Sequence, residues 1–594
     1  MKSVVNGIEV RLEGDCAPFT PVLTSRHGEQ DGVFYVILSV SAAEKALLPD
    51  LKLAWDIPSV DFHHKWNPRC MQNRALDIGL GSHNHINSSA NSGAPVFSLY
   101  SLSGTNACTW AASEVIRDVN TGGEYKSGKV FYCDLRVAGT SVGIVENYEV
   151  TVRFDFRRIP YYEVLADVTR YWESLPGCKP CVVPEAARKP LLSSWYVYEI
   201  RFDAEDFEKN CKLARELGFE TAILDDGWQT SQRTCGYQNN GDWEVSEEKV
   251  PDLAGHVKRV QAMGMKYMVW FSVPWIGIES KAYHRFKEML LPGKEGSPQY
   301  AIDLRFPEAR QYLIDIYERF VNRYGVDGLK MDFIDSCNDP KPAADIMADG
   351  RRDGVSIGEA MCRLLDEATG RLKRINPEFL IEFRQAYTGP AMRAYGNMLR
   401  AVDCANSLGD NRVRTIDVRL LAGNTAAHAD PITWNDDEPD HSAAMQIIHT
   451  LFSVPQISKR ITGMKESHIR MLKQQLKFVR EHEDVLQQGE FRPLYPHLLY
   501  PLVAARNEEK MVVAFYADMP MRFGDEVLPR ELLLVNGSYA SELIIELGKP
   551  MGQVEAEVID CCGVKLRAGK MSLQAGLNRL EVPPAAHVHI RRLA

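Results

Sequence analysis

The sequence predicts a multidomain protein with an N-terminal antiparallel β-sandwich (1–175), a central (β/α)8 TIM barrel (176–485) and a C-terminal antiparallel β domain (486–594). Three observations predict it. Up to about Phe156, short β-rich runs such as Val33–Val40 and the period-two stretch Tyr148–Phe156 alternate with Gly, Asn, Ser and Pro, the texture of a sandwich. From Leu191 to about His482, short apolar runs alternate with longer amphipathic ones about eight times, as a closed parallel barrel requires. After Glu483 the β texture returns, in Met511–Tyr516, Glu531–Val535 and Val588–Ile590.

Within this frame, a helix over Tyr161–Trp172 and a proline-bearing linker, Pro176–Pro190, lead from the sandwich into the barrel. Barrel strands are expected at Leu192–Tyr196, Thr221–Leu224, Tyr267–Phe271, Gly328–Met331, Phe379–Phe383, Leu399–Val402 and Ala426–Asp430. Helices are expected near Ala204–Leu217, Val250–Met263, Pro307–Tyr324 and Ile357–Arg374.

Composition narrows the function. The chain has 594 residues, 45% hydrophobic and 25% charged, with 69 Lys and Arg against 79 Asp and Glu, a formal net charge of −10. That balance recommends neither nucleic acid nor an anionic membrane as partner. The opening MKSVVNGIEVRLEGD reaches acidic residues before any signal-like apolar run, and no stretch approaches a membrane span of about 20 residues, so a soluble cytoplasmic protein is expected. Thirteen scattered cysteines suit reduced thiols. The lone C-x-x-C, Cys178 to Cys181, lacks both the strand and helix of a redox site and a second pair for zinc, and no metal or cofactor is expected.

In such barrels, chemistry sits just past the C-terminal ends of the strands. Here those positions hold mostly carboxylates and indoles: Asp225-Asp226-Gly227-Trp228 after strand two, Trp270 at strand three and Asp332 at strand four. Strand five ends in Glu382-Phe383-Arg384-Gln385, strand six in Asp403, and Trp434 follows strand seven. Carboxylates bind sugar hydroxyls, an indole offers a flat apolar face to a sugar ring, and a carboxyl pair cleaves a glycosidic bond. A glycoside or oligosaccharide substrate is therefore expected. Asp332 and Asp403, on strands two apart, can face each other as that pair. Each residue also has a plainer use: Asp225 and Asp226 as helix caps, Trp270 and Trp434 as barrel-top core, His428 as the partner of a carboxylate or backbone group, Arg351 and Arg352 as a solvated helix face.

Four motifs in order carry a family resemblance: Phe219-Glu220 leading to Asp225-Asp226-Gly227-Trp228; Gly241-Asp242-Trp243-Glu244 with Lys249 and Pro251; Met263-Gly264-Met265-Lys266 leading to Trp270; and Gly328-Leu329-Lys330-Met331-Asp332. The chain resembles the melibiase-type α-galactosidases of glycoside hydrolase family 36, retaining α-glycosidases. The resemblance implies that Asp332 is the nucleophile and that Asp403, in Arg400-Ala401-Val402-Asp403, is the general acid, then base, with Asp410 as the alternative acid. It places Asp225, Asp226 and Trp270 around the sugar and implies that the β domain lends an aromatic, Trp55 or Trp66, to the pocket. Lys330, on the same strand face as Asp332, would keep the nucleophile ionised, and burial near Asp332 would raise the pKa of the acid.

The departures from the family pattern fall on groups that read the sugar. Ser272 replaces the glutamate expected after Trp270, Val402 replaces the serine of R-x-S-D, and Arg384 and Gln385 stand in the segment after strand five. A guanidinium there fits a modified or anionic glycoside, or else an ion pair with a neighbour such as Glu382. The open readings are an α-galactosidase, an α-glycosidase for N-acetylgalactosamine or an anionic sugar, a transglycosylase of the raffinose-synthase kind, and a non-catalytic carbohydrate-binding protein. A homo-oligomer stays open.

Overall fold

The computed structural model describes residues 1–79, 84–126, 130–232, 236–338 and 349–593. Two six-stranded antiparallel sheets form the N-terminal part, one ordered from Lys2–Val5 to Ile86–Ser88, the other from Thr20–His27 to His64–Trp66. Their long strands alternate as the sequence does: along Val33–Leu47 the first eight residues face inward and outward nearly in turn. The inner faces meet around Trp55, whose ring lies 5.1 Å from Trp110 and 4.9 Å from Phe154, edge to face. The helix Tyr161–Glu173 then crosses to the barrel, with its Trp172 indole N–H on Ala112 O and the Tyr161 hydroxyl on Pro493 O.

The barrel strands are β1 (Leu191–Ser193), β2 (Thr221–Leu224), β3 (Lys266–Ser272), β4 (Gly328–Asp332), β5 (Leu380–Arg384), β6 (Met398–Arg400), β7 (Ala426–His428) and β8 (Gln456–Ile457). All pair in parallel in that order, and β8 pairs β1. Single bridges, His428 to Val454 and Ile432 to Ile457, close the ring. The strands are tight enough that a Cβ on Gly328 would sit 2.6 Å from Leu380 Cβ.

The helices begin and end where local chemistry directs. Asp203 caps Ala204–Leu217 through Asp206 N, and Gly218 ends it in the left-handed region. Pro307 opens Pro307–Tyr324, and Ser356 caps Ile357–Ile375. Two features differ from the expected repeat. Trp195 and Tyr196 leave the first strand and start a short helical turn, Trp195–Tyr198. Between β5 and β6 the only helical element is the 3-10 segment Pro390–Ala394, because Gly389-Pro390 turns the chain back at once. Arg351 and Arg352 lie in a turn before Ile357–Ile375, where Arg352 pairs with buried Asp303, so they are not a helix face.

The C-terminal residues form a seven-stranded sheet from Glu490–Leu494 to Lys565–Leu573 and a three-stranded sheet of Met521–Arg522, Glu542–Leu547 and Gly576–Glu581. Most pairs are antiparallel; Lys510–Phe515 runs parallel to Glu531–Asn536. Among the described residues no helix is long and apolar enough to cross a membrane.

One buried cluster ties the three parts together. Asp417, on the barrel helix Leu408–Ala422, accepts two bonds from Arg74 (2.7 and 2.9 Å), one from the Tyr500 hydroxyl (2.7 Å) and one from the Trp66 indole (3.1 Å). Arg74 and Asp417 have almost no exposed surface. Burial pushes the Asp417 carboxyl up, and Arg74, Tyr500 and Trp66 oppose that push. Asp417→Ala strands a buried guanidinium and should cost about 3–5 kcal/mol, seen as a lower thermal midpoint by calorimetry; an unchanged midpoint would contradict the cluster's role as the junction.

Candidate active site

The barrel mouth is built on the turn after β2. Asp225-Asp226-Gly227-Trp228 reverses tightly, with Gly227 at φ 110°, where an added Cβ would lie 2.6 Å from Ile200 Cα. Lys249 fixes the turn from outside, donating to the carbonyls of Ile200, Gly227 and Gln232. Asp242 accepts from the backbone of Lys281 and Ala282. Trp228 is fully buried, its indole N–H on Trp270 O and its ring between Phe271 and Phe320. Trp228, expected at the sugar, is therefore core behind β3.

Asp225 pairs with Lys330 of β4. Asp226 is buried and accepts from Gln229 Nε2 at 2.7 Å; Gln229 also donates to Asn240, and Asn240 donates to Ser272 Oγ at 2.8 Å. Ser272, standing where a glutamate was expected, thus ends a chain of side chains that holds Asp226. Burial, with Asp225 and Asp332 nearby, outweighs the Gln229 bond and pushes the Asp226 carboxyl up to about 7.

Asp332 ends β4. Its Oδ1 accepts from Phe333 N at 2.7 Å and the Tyr387 hydroxyl at 3.0 Å and meets Arg384 Nε at 2.9 Å. Its Oδ2 accepts from the Trp270 indole at 3.0 Å, and from no other group among the described residues. Burial would raise this carboxyl, but Arg384, Lys330, Arg400 and the Trp270 indole outweigh it and hold Asp332 below the ordinary range.

Asp403, one loop beyond β6, meets the same guanidinium: Arg384 Nη1 is 3.8 Å from its Oδ2, while Arg400 Nη2 donates to its Oδ1 at 3.0 Å. Its side chain keeps 49% of its surface, at the open rim. The expectation of a raised acid is overturned. Desolvation at the mouth pushes Asp403 up, but Arg400, Arg384 and Lys330 prevail and hold it down at about 2. Asp410 stands apart, in the first turn of Leu408–Ala422, paired with Gln72 of the N-terminal part.

Arg400 is buried among Asp430, Asp403 and Glu382. Asp430 also accepts from Cys404 N and the Tyr196 hydroxyl at 2.8 Å each, and burial, opposed by Arg400, raises it to about 6. Glu382 is fully buried and its carboxyl is pushed up by that burial, against Lys330 and Arg400. Arg384 therefore does not pair with Glu382; its partners are Asp332 and Asp403. Gln385 supports the loop: its backbone N–H bonds Arg400 O, and its Oε1 accepts from Val402 N at 3.4 Å. His428 meets Ala187 O and Gln456, the plainer role expected of it.

Three expected indoles lie elsewhere. Trp55 is the centre of the sandwich core, enclosed by its own domain's packing, and Trp66 is sealed in the junction, its indole on Asp417 and Tyr500 of the other two parts. Trp434 is buried against His468, to which it donates at 3.1 Å. The N-terminal part reaches the loops after β4 and β5 through other residues: Asn91 donates to Ile334 O and Cys337 O, and Gly93 N to Ala386 O. Sequence reasoning missed Tyr196, Gln229, Asn240, Tyr387 and Asp430. Only Tyr387 and Asp430 carried a signal, by standing just past strands five and seven.

Residues 182–365 match the Melibiase family model. The α-galactosidase AgaA of Geobacillus stearothermophilus is 23% identical over 350 residues, 55% of this chain and 46% of that protein. The Escherichia coli α-galactosidase is 30% identical over 159 residues, 25% of this chain and 22% of that enzyme, and α-galactosidase Mel36A of Lactobacillus acidophilus is 28% identical over 158 residues, 26% of this chain and 21% of its own. The chain thus spans from about a fifth to under half the length of these relatives. In three dimensions, a variant of AgaA in complex with raffinose superposes with a TM-score of 0.65 at 16% identity over 99% of this chain and 82% of its own. The galactosidase domain of the α-galactosidase–sucrose kinase AgaSK does so with a TM-score of 0.62 at 13% identity, covering 99% and 80%. The fold is that of the family 36 α-galactosidases, and within it residues 182–365 are similar to the Melibiase family.

Proposed function

We propose that the protein is a retaining α-glycoside hydrolase acting on terminal α-linked galactose or a close relative. The observation that carries this reading is the pair Asp332 and Asp403 on one guanidinium at the C-terminal mouth of the barrel. The α-galactosidase relatives support the galactose configuration.

In the first step Asp332 attacks the anomeric carbon through Oδ2, the oxygen with a single donor, while Oδ1 is held by Phe333 N and Tyr387. The C1–O bond breaks and its electron pair goes to the leaving oxygen, which takes the proton from Asp403, leaving a glycosyl ester on Asp332. In the second step Asp403 takes a proton from water as the water oxygen attacks C1, and the ester electrons return to Asp332. Asp225 with Lys330 receives sugar hydroxyls on one wall. Asp226, protonated over the lower part of the pH range, can both donate to a hydroxyl and accept from one.

Asp332→Asn should abolish turnover of an aryl α-galactoside, and Asp403→Asn should lower kcat by about 10²–10⁴-fold, measured on a panel that includes the N-acetylgalactosaminide and glucoside. Full activity in the first variant would sink the nucleophile assignment. Product analysis with added sugar acceptor separates hydrolysis from transfer.

Asp226 also makes a stability prediction. Its folded pKa of about 7 lies above the unfolded value near 3.8, so the folded chain binds the extra proton and stability falls as pH rises through that window. Asp226→Asn removes this loss. It should raise the thermal midpoint at pH 8, by an effect on the order of 4 kcal/mol at most, with the gain largely gone by pH 4. Equal midpoints for variant and wild type at pH 8 would contradict the raised carboxyl.

A further inference from the structure

Arg384 stands between the two carboxylates that the proposed reaction uses, and its bonding differs from that of the neighbouring cations. Lys330 is committed to Asp225, and Arg400 is enclosed by Asp430, Asp403 and Glu382. Their side chains are 5% and 2% exposed; that of Arg384 is 12% exposed, the most open of the three. Arg384 Nε is buried and close to Asp332 Oδ1, yet it makes no aligned hydrogen bond. Nη1 is 3.8 Å from Asp403, beyond hydrogen-bond reach. The guanidinium lies over the Phe333 ring at 4.9 Å, a flat surface on which it can slide without losing contact. It is a permanently charged fork with ionic neighbours, Tyr387 beside it and a buried Nε that no aligned acceptor satisfies.

A neutral sugar gives such a fork little return. It also leaves the cation on Asp332 Oδ1, drawing electron density from the carboxylate that must attack through Oδ2, and beside Asp403, which must carry a proton. An anionic group is matched by the fork in charge and shape, since a guanidinium grips a carboxylate or sulfate through two parallel N–H bonds.

We propose that Arg384 is a specificity-determining residue that binds an anionic substituent, carboxylate or sulfate, on the sugar, and that its shift onto that substituent frees Asp332 and Asp403 to react. The proposal rests on the glycoside hydrolase reading and names its substrate class. The low Asp403 carboxyl agrees with it: Arg400 first and Arg384 second hold that group ionised, and withdrawing Arg384 moves it upward, toward the proton the first step needs.

The test has a binding arm and a turnover arm. Calorimetry measures galactose, galacturonate, galactose 2-sulfate and galactose 6-sulfate on wild type, Arg384→Met and Arg384→Gln, the second variant retaining polarity in case the first fails to fold. At least one anionic sugar should bind wild type at least about tenfold tighter than galactose, and the advantage should vanish in either folded variant. The matching aryl α-glycosides should show the same preference in kcat/KM. Galactose binding wild type as tightly as every anionic sugar, or an anionic advantage that persists without Arg384, would overturn the proposal. If the neutral galactoside is cleaved in an Asp332-dependent way with no anionic advantage, the hydrolase reading stands and this one falls. If an anionic sugar binds through Arg384 and no glycoside is cleaved, the hydrolase reading falls and the anion site remains.

Discussion

The constraint on which the site depends is the crowding of carboxyl groups at one barrel mouth, most of them buried and only Asp403 open at the rim. Burial alone would raise every one of them, and the strands place only Lys330, Arg384 and Arg400 among them to oppose it. The outcome is a sorting by the balance of burial against cations. Asp332 and Asp403, which feel Arg384 as well as Lys330 and Arg400, are held low. Fully buried Asp430 (about 6) and Glu382 are raised although Arg400 adjoins both, and Asp226, partnered by neutral Gln229, is raised to about 7. One mouth thus contains both carboxylates held ionised and carboxyls that keep their protons, a difference set by burial and by three cations. The same sorting constrains substitution, because removing one cation shifts several acids at once.

This arrangement needs a rigid surround, and the helix Leu408–Ala422 supplies much of it. Asn411 bonds Asp430 from both sides of the peptide, donating to its O and accepting from its N. Arg414 bonds the backbone oxygen of Asp403, and Asp417 joins the helix to Arg74 and Tyr500 from the flanking domains. One element therefore carries the loop that holds Asp403 and the junction that locks three domains. The flanking β domains thus meet the helix that backs the Asp403 loop, and the N-terminal one also reaches the loops after β4 and β5 directly through Asn91 and Gly93.

The barrel was legible because its signal is repetitive: Ala204–Leu217 and Pro307–Tyr324 are bounded in the structure where Asp203, Gly218, Pro307 and Gly325 direct. The mouth carboxylates were legible because strand ends have one chemical meaning in such a fold. The indoles were not. Trp55, Trp66, Trp228 and Trp434 have the same composition as a sugar platform, and only packing distinguishes a ring facing solvent from one enclosed by Phe154, Tyr500, Phe320 or His468. Several motif residues proved to be scaffolding: Lys249 ties down backbone carbonyls, and Asp242 caps Lys281 and Ala282. A motif records which side chains a turn requires without saying whether they touch the ligand. The acidity of Asp403 was misjudged for a related reason. Proximity to Asp332 was visible in the sequence, but Arg384 and Arg400 converging on Asp403 from two adjacent strands was a property of register.

That register also makes the departures from the family pattern a connected set. Arg384 and Arg400 are direct partners across β5 and β6, so both guanidinium groups arise from one level of the barrel. Ser272 pairs with Asp332 across β3 and β4, and by holding Asn240 it leaves Asp226 without a charged neighbour on that side. The substitutions therefore remove a negative charge from the β3 side of the mouth and add a positive one, Arg384, on the β5 side, beside Asp332 and Asp403. A site that only had to recognise hydroxyl groups gains nothing from that redistribution, since hydroxyls are served as well by neutral donors and by carboxylates. The shift is intelligible as a change in what the β5–β6 wall binds, with the Asp332 carboxylate on β4 left in place.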